Sequence, residues 1–346
     1  MEENLIYFKK KLTETGIRQG WWDSPGIVAA LSGGGDSVAM LWLLREFYRG
    51  RVVAAHLDHC TREGASHEDA AFVRELCLKW GVECRVKTVD VHAKRLVGES
   101  FEMAGRRERY EHFFETASAC ELPFIAVGHS ADDLIETQLM NLFRGTGLAG
   151  LRGIPETRGN IVRPIIAFRR ESLRTLLRAM SVPWREDASN TDRTYTRNRV
   201  REELIPWIKS NLNPNFENAM LGLARQIDAE ASEREAEARQ SIGLAAADIP
   251  PALACWKTSS LEGVSDAKLA DMIRIQGAIL ELPVLSRDRT QKLVSLIRKG
   301  GCWRFQWARD IEVCYSRRGI GWLHRKDIVK SADKNSEKPW LPWWAR

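Results

Sequence analysis

The feature that most constrains this chain is an alternation, between residues 26 and 144, of short apolar runs with segments of helix length. GIVAALS (26–32) is an apolar run closed by a turn and reads as a buried strand, and SVAMLWLLREFYR (37–49) reads as a helix. VVAAHLDH (52–59), CRVKTV (84–89) and PFIAVGHS (123–130) repeat the strand pattern. EDAAFVRELCLKWG (68–81), a stretch from about 100 to 120 and ADDLIETQLMNLFR (131–144) repeat the helix pattern. Strands this apolar must be covered on both faces, and the intervening helices supply the cover. The expected class is therefore α/β, a doubly wound parallel sheet built from βαβ units. IVRPII (161–166) offers one more strand before a helix at 169–181.

The pattern changes near Asn211–Pro214. A long charged helix is expected at 215–242, helices at 260–280 and 286–298, and a hairpin from CWRFQW (302–307) and IEVCYS (311–316). We therefore expect an α/β catalytic domain at 1–210, a mainly helical α+β domain at 211–325, and a polar linker with a Trp-rich tail at 326–346. For the Trp340–Trp344 cluster, a packed anchor is favoured over a dimer contact or an exposed patch. No apolar run approaches the ~20 residues of a membrane helix, and the acidic start MEENLIYFKK is unlike an export signal. A cytoplasmic protein without a membrane partner is expected. The seven cysteines (60, 77, 84, 120, 255, 302, 314) form no CxxC pair, which argues against zinc ribbons and cysteine-bound iron–sulfur clusters. Scattered thiols suit a reducing compartment.

The net charge of +6 has one address. Residues 152–201 hold twelve arginines, no lysine and five acids, a surplus of seven, so the remainder sums to −1. Arginine without lysine favours planar, bidentate phosphate contacts; a solvated basic face is the plainer alternative.

SGGGDS (32–37) lies between a strand and a helix. Glycines there let backbone N–H groups converge, and the helix adds its positive end, which makes an anion cradle. The loop lacks the GxxxxGK[ST] lysine that holds β/γ-phosphates. Asp36 inside such a cradle suits Mg²⁺ on bound phosphates; a helix-capping role for Asp36 or Ser37 is the alternative. GTGLAG (145–150) has the letters of a dinucleotide fingerprint but follows a helix, where that motif must follow a strand. It is read as a helix C-cap and loop. GHSADDLIET (128–137) runs from a strand end into a helix, where open α/β sheets bind ligands. Asp132, Asp133 and Glu136 share its first turn, suited to Mg²⁺ or a cationic substrate, although Ser130 and Asp133 also imitate a capping box. Arg106 lies on the 100–120 helix beside Arg109–Tyr110.

Taken together, SGGGDS, LDHCTR (57–62), FEMAGRRERY (101–110), GHSADDLIET, RGTGLAGLRGI (144–154), WREDASN (184–190) and RNRVR (197–201) resemble the tRNA(Ile)-lysidine synthetases. These belong to the N-type ATP pyrophosphatase, or PP-loop, superfamily with its Rossmann-like fold. The resemblance spans about residues 25–207. Two departures stand out: Cys60-Thr61 where Gly-Leu is common, and Ser130 where a second histidine is common. The resemblance implies that ATP adenylates the C2 oxygen of the wobble cytidine in a tRNA(Ile) with a CAU anticodon, and that free L-lysine then displaces AMP. It implies ATP contacts at Ser32, Gly33, Gly34, Gly35, Asp36 and Ser37, with Mg²⁺ carried by Asp36 and Asp132. Lysine binding falls to Asp132, Asp133 and Glu136, and one carboxylate accepts the amine proton. Arg106 is expected to stabilise charge on the α-phosphate, and Arg144, Arg197, Asn198, Arg199 and Arg201 to contact tRNA. The 211–325 region is expected to hold the tRNA stem. The alternatives are tRNA thiolation, which would call for CxxC cysteines, and a non-catalytic tRNA-binding homologue. A homodimer is left open.

Overall fold

β-Strands at Gly26–Ala30 (β1), Arg51–Asp58 (β2), Glu83–Thr88 (β3), Phe124–Ala126 (β4), Thr157–Arg158 (β5) and Ile161–Val162 (β6) make one six-stranded sheet in the order β3-β2-β1-β4-β6-β5. All neighbouring pairs are parallel except β5–β6. In this computed structural model the described residues are 2–60, 65–146, 148–186, 196–316 and 318–330. The helices of this part are α1 (Glu2–Arg18), α2 (Gly35–Phe47), α3 (Ala65–Trp80), α4 (Val91–Lys94), α5 (Phe101–Ala119), α6 (Ala131–Phe143), α7 (Leu148–Leu151), α8 (Arg170–Ala179), α9 (Thr196–Arg199) and α10 (Ile205–Asn211). A π-helical turn, Val200–Leu204, joins α9 to α10.

Alternation along β1 shows why the run had to be apolar. Ile27 and Ala29 face one core with Leu12, Trp21, Leu41, Leu44, Val73 and Leu177. Val28 and Ala30 face the opposite core with Phe113, Ala117 and Ile125. On α8 the stripe Leu173, Leu176, Leu177 is buried, at the i, i+3, i+4 spacing of a core-facing helix. Of IVRPII, Ile161 and Val162 alone are strand, because Pro164 has no N–H to continue a ladder.

The chain divides into two compact units between Ile227 and Asp228, within the helix α11 (Phe216–Ala245). The second unit holds β7 (Ala246–Ala247), β8 (Ala254–Lys257), α12 (Asp266–Ile279), α13 (Arg287–Lys299), β9 (Trp303–Gln306), β10 (Ile311–Tyr315), β11 (Gly319–His324) and α14 (Arg325–Lys330). Its antiparallel sheet runs β7-β8-β11-β10-β9 around Trp256, Trp322, Leu293 and Ile273. The expected hairpin is thus three strands, β9 to β11, with β8 added beyond. The segment expected to open as a linker begins instead as α14, whose Ile328 is fully buried. The Trp340–Trp344 cluster lies outside the described residues. Among the described residues no helix is long and apolar enough to cross a membrane.

Candidate active site

β1 and β4 are neighbours, and each is followed at its C-terminal end by one of the two loops singled out above. This is the point where the strand order reverses, the ligand-binding crevice of doubly wound sheets. Gly128 allows the two loops to meet: a Cβ there would stand 3.1 Å from Ser37 Cα and 3.3 Å from Ser37 N.

The first loop is built as an anion cradle. Gly33 sits at φ +93°, a region open to glycine, and α2 starts at Gly35 with no side chain capping it. Its first N–H groups therefore lack acceptors within the helix and coincide with the positive end of the dipole. Ser37 Oγ accepts from Ser32 N–H (3.1 Å) and donates to the Gly34 carbonyl (2.9 Å), which fixes the turn. Trp184 packs on Gly35, and Arg185 N–H donates to the Gly33 carbonyl (3.0 Å). The rest of WREDASN, from Asp187 on, lies outside the described residues, as do Thr61 and Arg62 of LDHCTR.

The acids of α6 converge on Asp36 through one guanidinium. Arg170, the first residue of α8, donates from Nε to Asp36 (3.1 Å), from Nη2 to Asp133 (3.0 Å) and from Nη1 to Glu136 (3.2 Å). Glu136, 1% exposed, also accepts from Arg197 Nε (2.8 Å) and from Arg201 Nε (2.7 Å) and Nη2 (3.0 Å). Asp133 caps α6 as well, accepting from Ser130 N–H (2.8 Å) and Oγ (2.9 Å), so capping and cation binding coexist. Burial alone would raise Asp133, but Arg170 and Arg197 bring its carboxyl below the usual range. For Asp36 burial prevails over Arg170, and its carboxyl is raised. Asp132 has a different setting: it accepts from Arg169 (3.2 and 2.9 Å) and from Arg170 N–H (2.7 Å), anchoring the start of α8.

Opposite in sign is a group of arginines on α5 and just past β6, with His59 and His129 just past β2 and β4. Arg163, 4% exposed, donates from Nε to His129 Nδ1 (3.1 Å) and from Nη1 to the Pro155 carbonyl (2.6 Å). Arg109 lies 3.0 Å from His59 Nε2, and Arg106 stacks on Tyr110 at 5.0 Å. Burial, reinforced by the charge of Arg106, lowers the pKa of both Arg109 and Arg163. Among the described residues none of these three arginines is ion-paired to a carboxylate. Burial likewise pushes His59 and His129 to about 4, with nearby arginine charge adding to it. Both imidazoles are neutral at pH 7, so the cluster offers positive charge and neutral nitrogen to an anion. The sign of the linkage follows: unfolded histidine binds a proton below about 6.5 and the folded form resists it to about 4. Stability is expected to fall as pH drops through this window, by ~1–3 kcal/mol per histidine. Urea midpoints measured from pH 7 to pH 4 check this, and His129→Gln should flatten the slope.

The structure thus brings Asp36, Asp133 and Glu136 together with Arg197 and Arg201. Arg197 and Arg201, expected at tRNA, sit four apart and face α6, whereas Arg199 is exposed beside Glu203. Arg144 is exposed at the C-cap of α6, and Asn198 is buried. Arg163, Arg169, Arg170, His59 and His129 were not singled out in the sequence. For the arginines the signal was the arginine-only stretch itself, and for His59 and His129 their places just past β2 and β4. GTGLAG follows α6, with Gly145 at φ +75°, as a helix end requires; Gly147 lies outside the described residues.

The tRNA(Ile)-lysidine synthase of Clostridium perfringens is 39% identical over 220 residues, 62% of this chain and 47% of that protein. The enzyme of the same name from Porphyromonas gingivalis is 39% identical over 208 residues, 60% of this chain and 45% of its own length. That of a Thermotoga strain is 36% identical over 201 residues, 57% and 48% of the two chains. The chain therefore spans about half the length of these relatives. Among solved structures, the U34-tRNA thiolase NcsA from Methanococcus maripaludis shares the fold, with a TM-score of 0.54 at 18% identity over 65% of this chain and 79% of that one. The family model of the PP-loop domain matches residues 6–208, the stretch that carries the cradle, the acid cluster and the arginine–histidine cluster, and the chain belongs to that family.

Proposed function

We propose that this chain is a tRNA(Ile)-lysidine synthetase, a ligase that adenylates the C2 oxygen of the wobble cytidine of the CAU-anticodon tRNA(Ile) and then joins L-lysine to C2. The observation that carries this reading is the meeting of an anion cradle with three carboxylates that already share one guanidinium. A site that holds Arg170 between Asp36, Asp133 and Glu136 has the charge and donor demand of a site for a substrate ammonium. Relatives at 36–39% identity named tRNA(Ile)-lysidine synthase support it.

In this reading the Ser32–Ser37 loop seats the triphosphate. Cytidine O2 attacks the α-phosphorus, an O–P bond forms, and pyrophosphate leaves with the electron pair of the broken anhydride. Arg106, Arg109 and Arg163 face the negative charge that gathers during attack. Lysine then enters with its ammonium between Asp133 and Glu136, one of which takes its proton. The neutral amine attacks C2, and AMP departs with the C2 oxygen. Asp36 fits Mg²⁺, since its Oδ1 is buried without a hydrogen-bond partner; the ion, when bound, supplies charge neutralisation on the phosphates. Asp132, spent on Arg169 and the start of α8, is left out of that role here.

The direct test incubates the protein with ATP, labelled lysine and bulk tRNA. Label should enter a single isoacceptor with release of AMP and pyrophosphate; label in none overturns the proposal. Asp36→Asn should lower tRNA-dependent ATP–pyrophosphate exchange by about 10²-fold or more, with tRNA affinity unchanged in a filter-binding titration. The second unit is assigned to the tRNA stem, because an anticodon loop alone shares most of its bases with other tRNAs. Removing residues 228–346 should weaken tRNA binding far more than ATP binding, and equal tRNA affinity would refute the assignment.

A further inference from the structure

At the C-terminal end of β2, on either side of His59, stands a set of donors that no step above uses. Asp58 closes β2, Cys60 follows two residues later, and His67 lies in the first turn of α3. One ligand atom from each of the three lies within 4.8 Å of the others, the single such group among the described residues. Asp58 is 2% exposed and organises the group. Its Oδ1 accepts from Cys60 N–H (3.0 Å), and its Oδ2 lies 2.6 Å from His67 Nδ1 and 3.5 Å from the Thr88 hydroxyl. Cys60 and the His67 ring are both reachable from solvent. Cys60 also holds φ at +49°, in the left-handed region that favours glycine, the residue common here in the synthetases it resembles. A cysteine there costs on the order of 1 kcal/mol of backbone strain, and the strained position sets a thiol beside a carboxylate and an imidazole.

We propose that Asp58, Cys60 and His67 bind a borderline divalent transition-metal ion, Zn²⁺ above all. Thiolate, imidazole and carboxylate are the mixed S, N, O donors that zinc takes at about 2.0–2.3 Å, whereas Mg²⁺ and Ca²⁺ call for oxygen. Three protein ligands leave the fourth position to water. Two donors on one tetrahedral ion stand about 3.3 Å apart. His67 therefore gives up its close contact with Asp58 and moves back by less than about 1 Å as the ion takes the place of the shared proton. The Cys60 thiol proton passes to solvent, and the His67 ring binds as neutral imidazole through Nδ1 with its N–H on Nε2, as coordination requires. Coordination then ties the end of β2 to the start of α3.

The test is a Co²⁺ titration of the full chain without nucleotide, followed by absorbance. One equivalent should raise a thiolate-to-cobalt charge-transfer band that Zn²⁺ erases and Mg²⁺ does not. Cys60→Gly, which suits the local backbone, should abolish the band, and His67→Ala should lower the affinity by ~10-fold or more. One equivalent of Zn²⁺ should raise the thermal midpoint of the parent chain and leave that of Cys60→Gly unmoved. No band at stoichiometric cobalt, a band undiminished in Cys60→Gly, or equal midpoint shifts in the two proteins would each overturn the proposal.

Discussion

Asp133→Asn is expected to cut lysine transfer by about 10²–10⁴-fold while tRNA-dependent ATP–pyrophosphate exchange stays within a few-fold of the parent. The amine of free lysine has a pKa near 10.4, so at pH 7 roughly one molecule in 2,500 is a nucleophile, a deficit of about 4.6 kcal/mol. A carboxylate that binds the ammonium and takes its proton offsets that deficit. The neutral amide keeps an oxygen able to accept the Ser130 N–H bond that now caps α6 at 2.8 Å, so the helix start survives. What disappears is the anionic oxygen that faces Arg170 at 3.0 Å. Single-turnover transfer from pre-adenylated tRNA separates the two steps, and unchanged transfer would remove Asp133 from the assignment.

How far the sequence could be read depended on the range of the interaction involved. Local periodicity placed β1, α2, β2, β3, α5 and α6 to within a few residues, because an apolar run or an amphipathic helix carries its own signal. β5 and β7, two residues each, carry no such signal, and α1 joins the first core through Phe8 and Leu12 from outside the βαβ pattern. The site divides in the same way. Ser32–Ser37 and the acids of α6 were legible because each is a contiguous motif at a strand's end. The arginine surplus of 152–201 was legible as charge and misleading as surface. Apart from Glu171 and Glu186 within the stretch, its partners include Asp36, Glu68, Asp69, Asp132, Asp133, Glu136 and Glu217 from elsewhere in the chain. Counting charge along a segment cannot reveal that α8 would bring Arg170 against carboxylates from two other helices. The stretch that read as a wall for RNA is in good part the counter-charge of the acid cluster.

Arg170 therefore carries the second large expectation. Arg170→Ala should destabilise the first unit by ~3–5 kcal/mol at pH 7, the usual cost of removing one partner from a buried ionic group. Its side chain is 15% exposed, and Asp36, Asp133 and Glu136 are 21%, 12% and 1% exposed, so water screens the cluster poorly. Asp133 is now held below the ordinary carboxylate range, largely by Arg170 against the opposing effect of burial. Without that guanidinium, burial raises Asp36 further above its unfolded value and meets less opposition at Asp133. A group raised in this way costs stability above its unfolded pKa and regains it on protonation. The deficit of the variant should therefore shrink as pH falls from 7 towards about 4, the reverse of the histidine effect in the parent. Arg170→Lys restores one charge but not three directed bonds, and should recover only part of the loss. Urea unfolding of the three proteins across that range decides the matter: a deficit independent of pH would mean that Arg170 contributes packing and not charge.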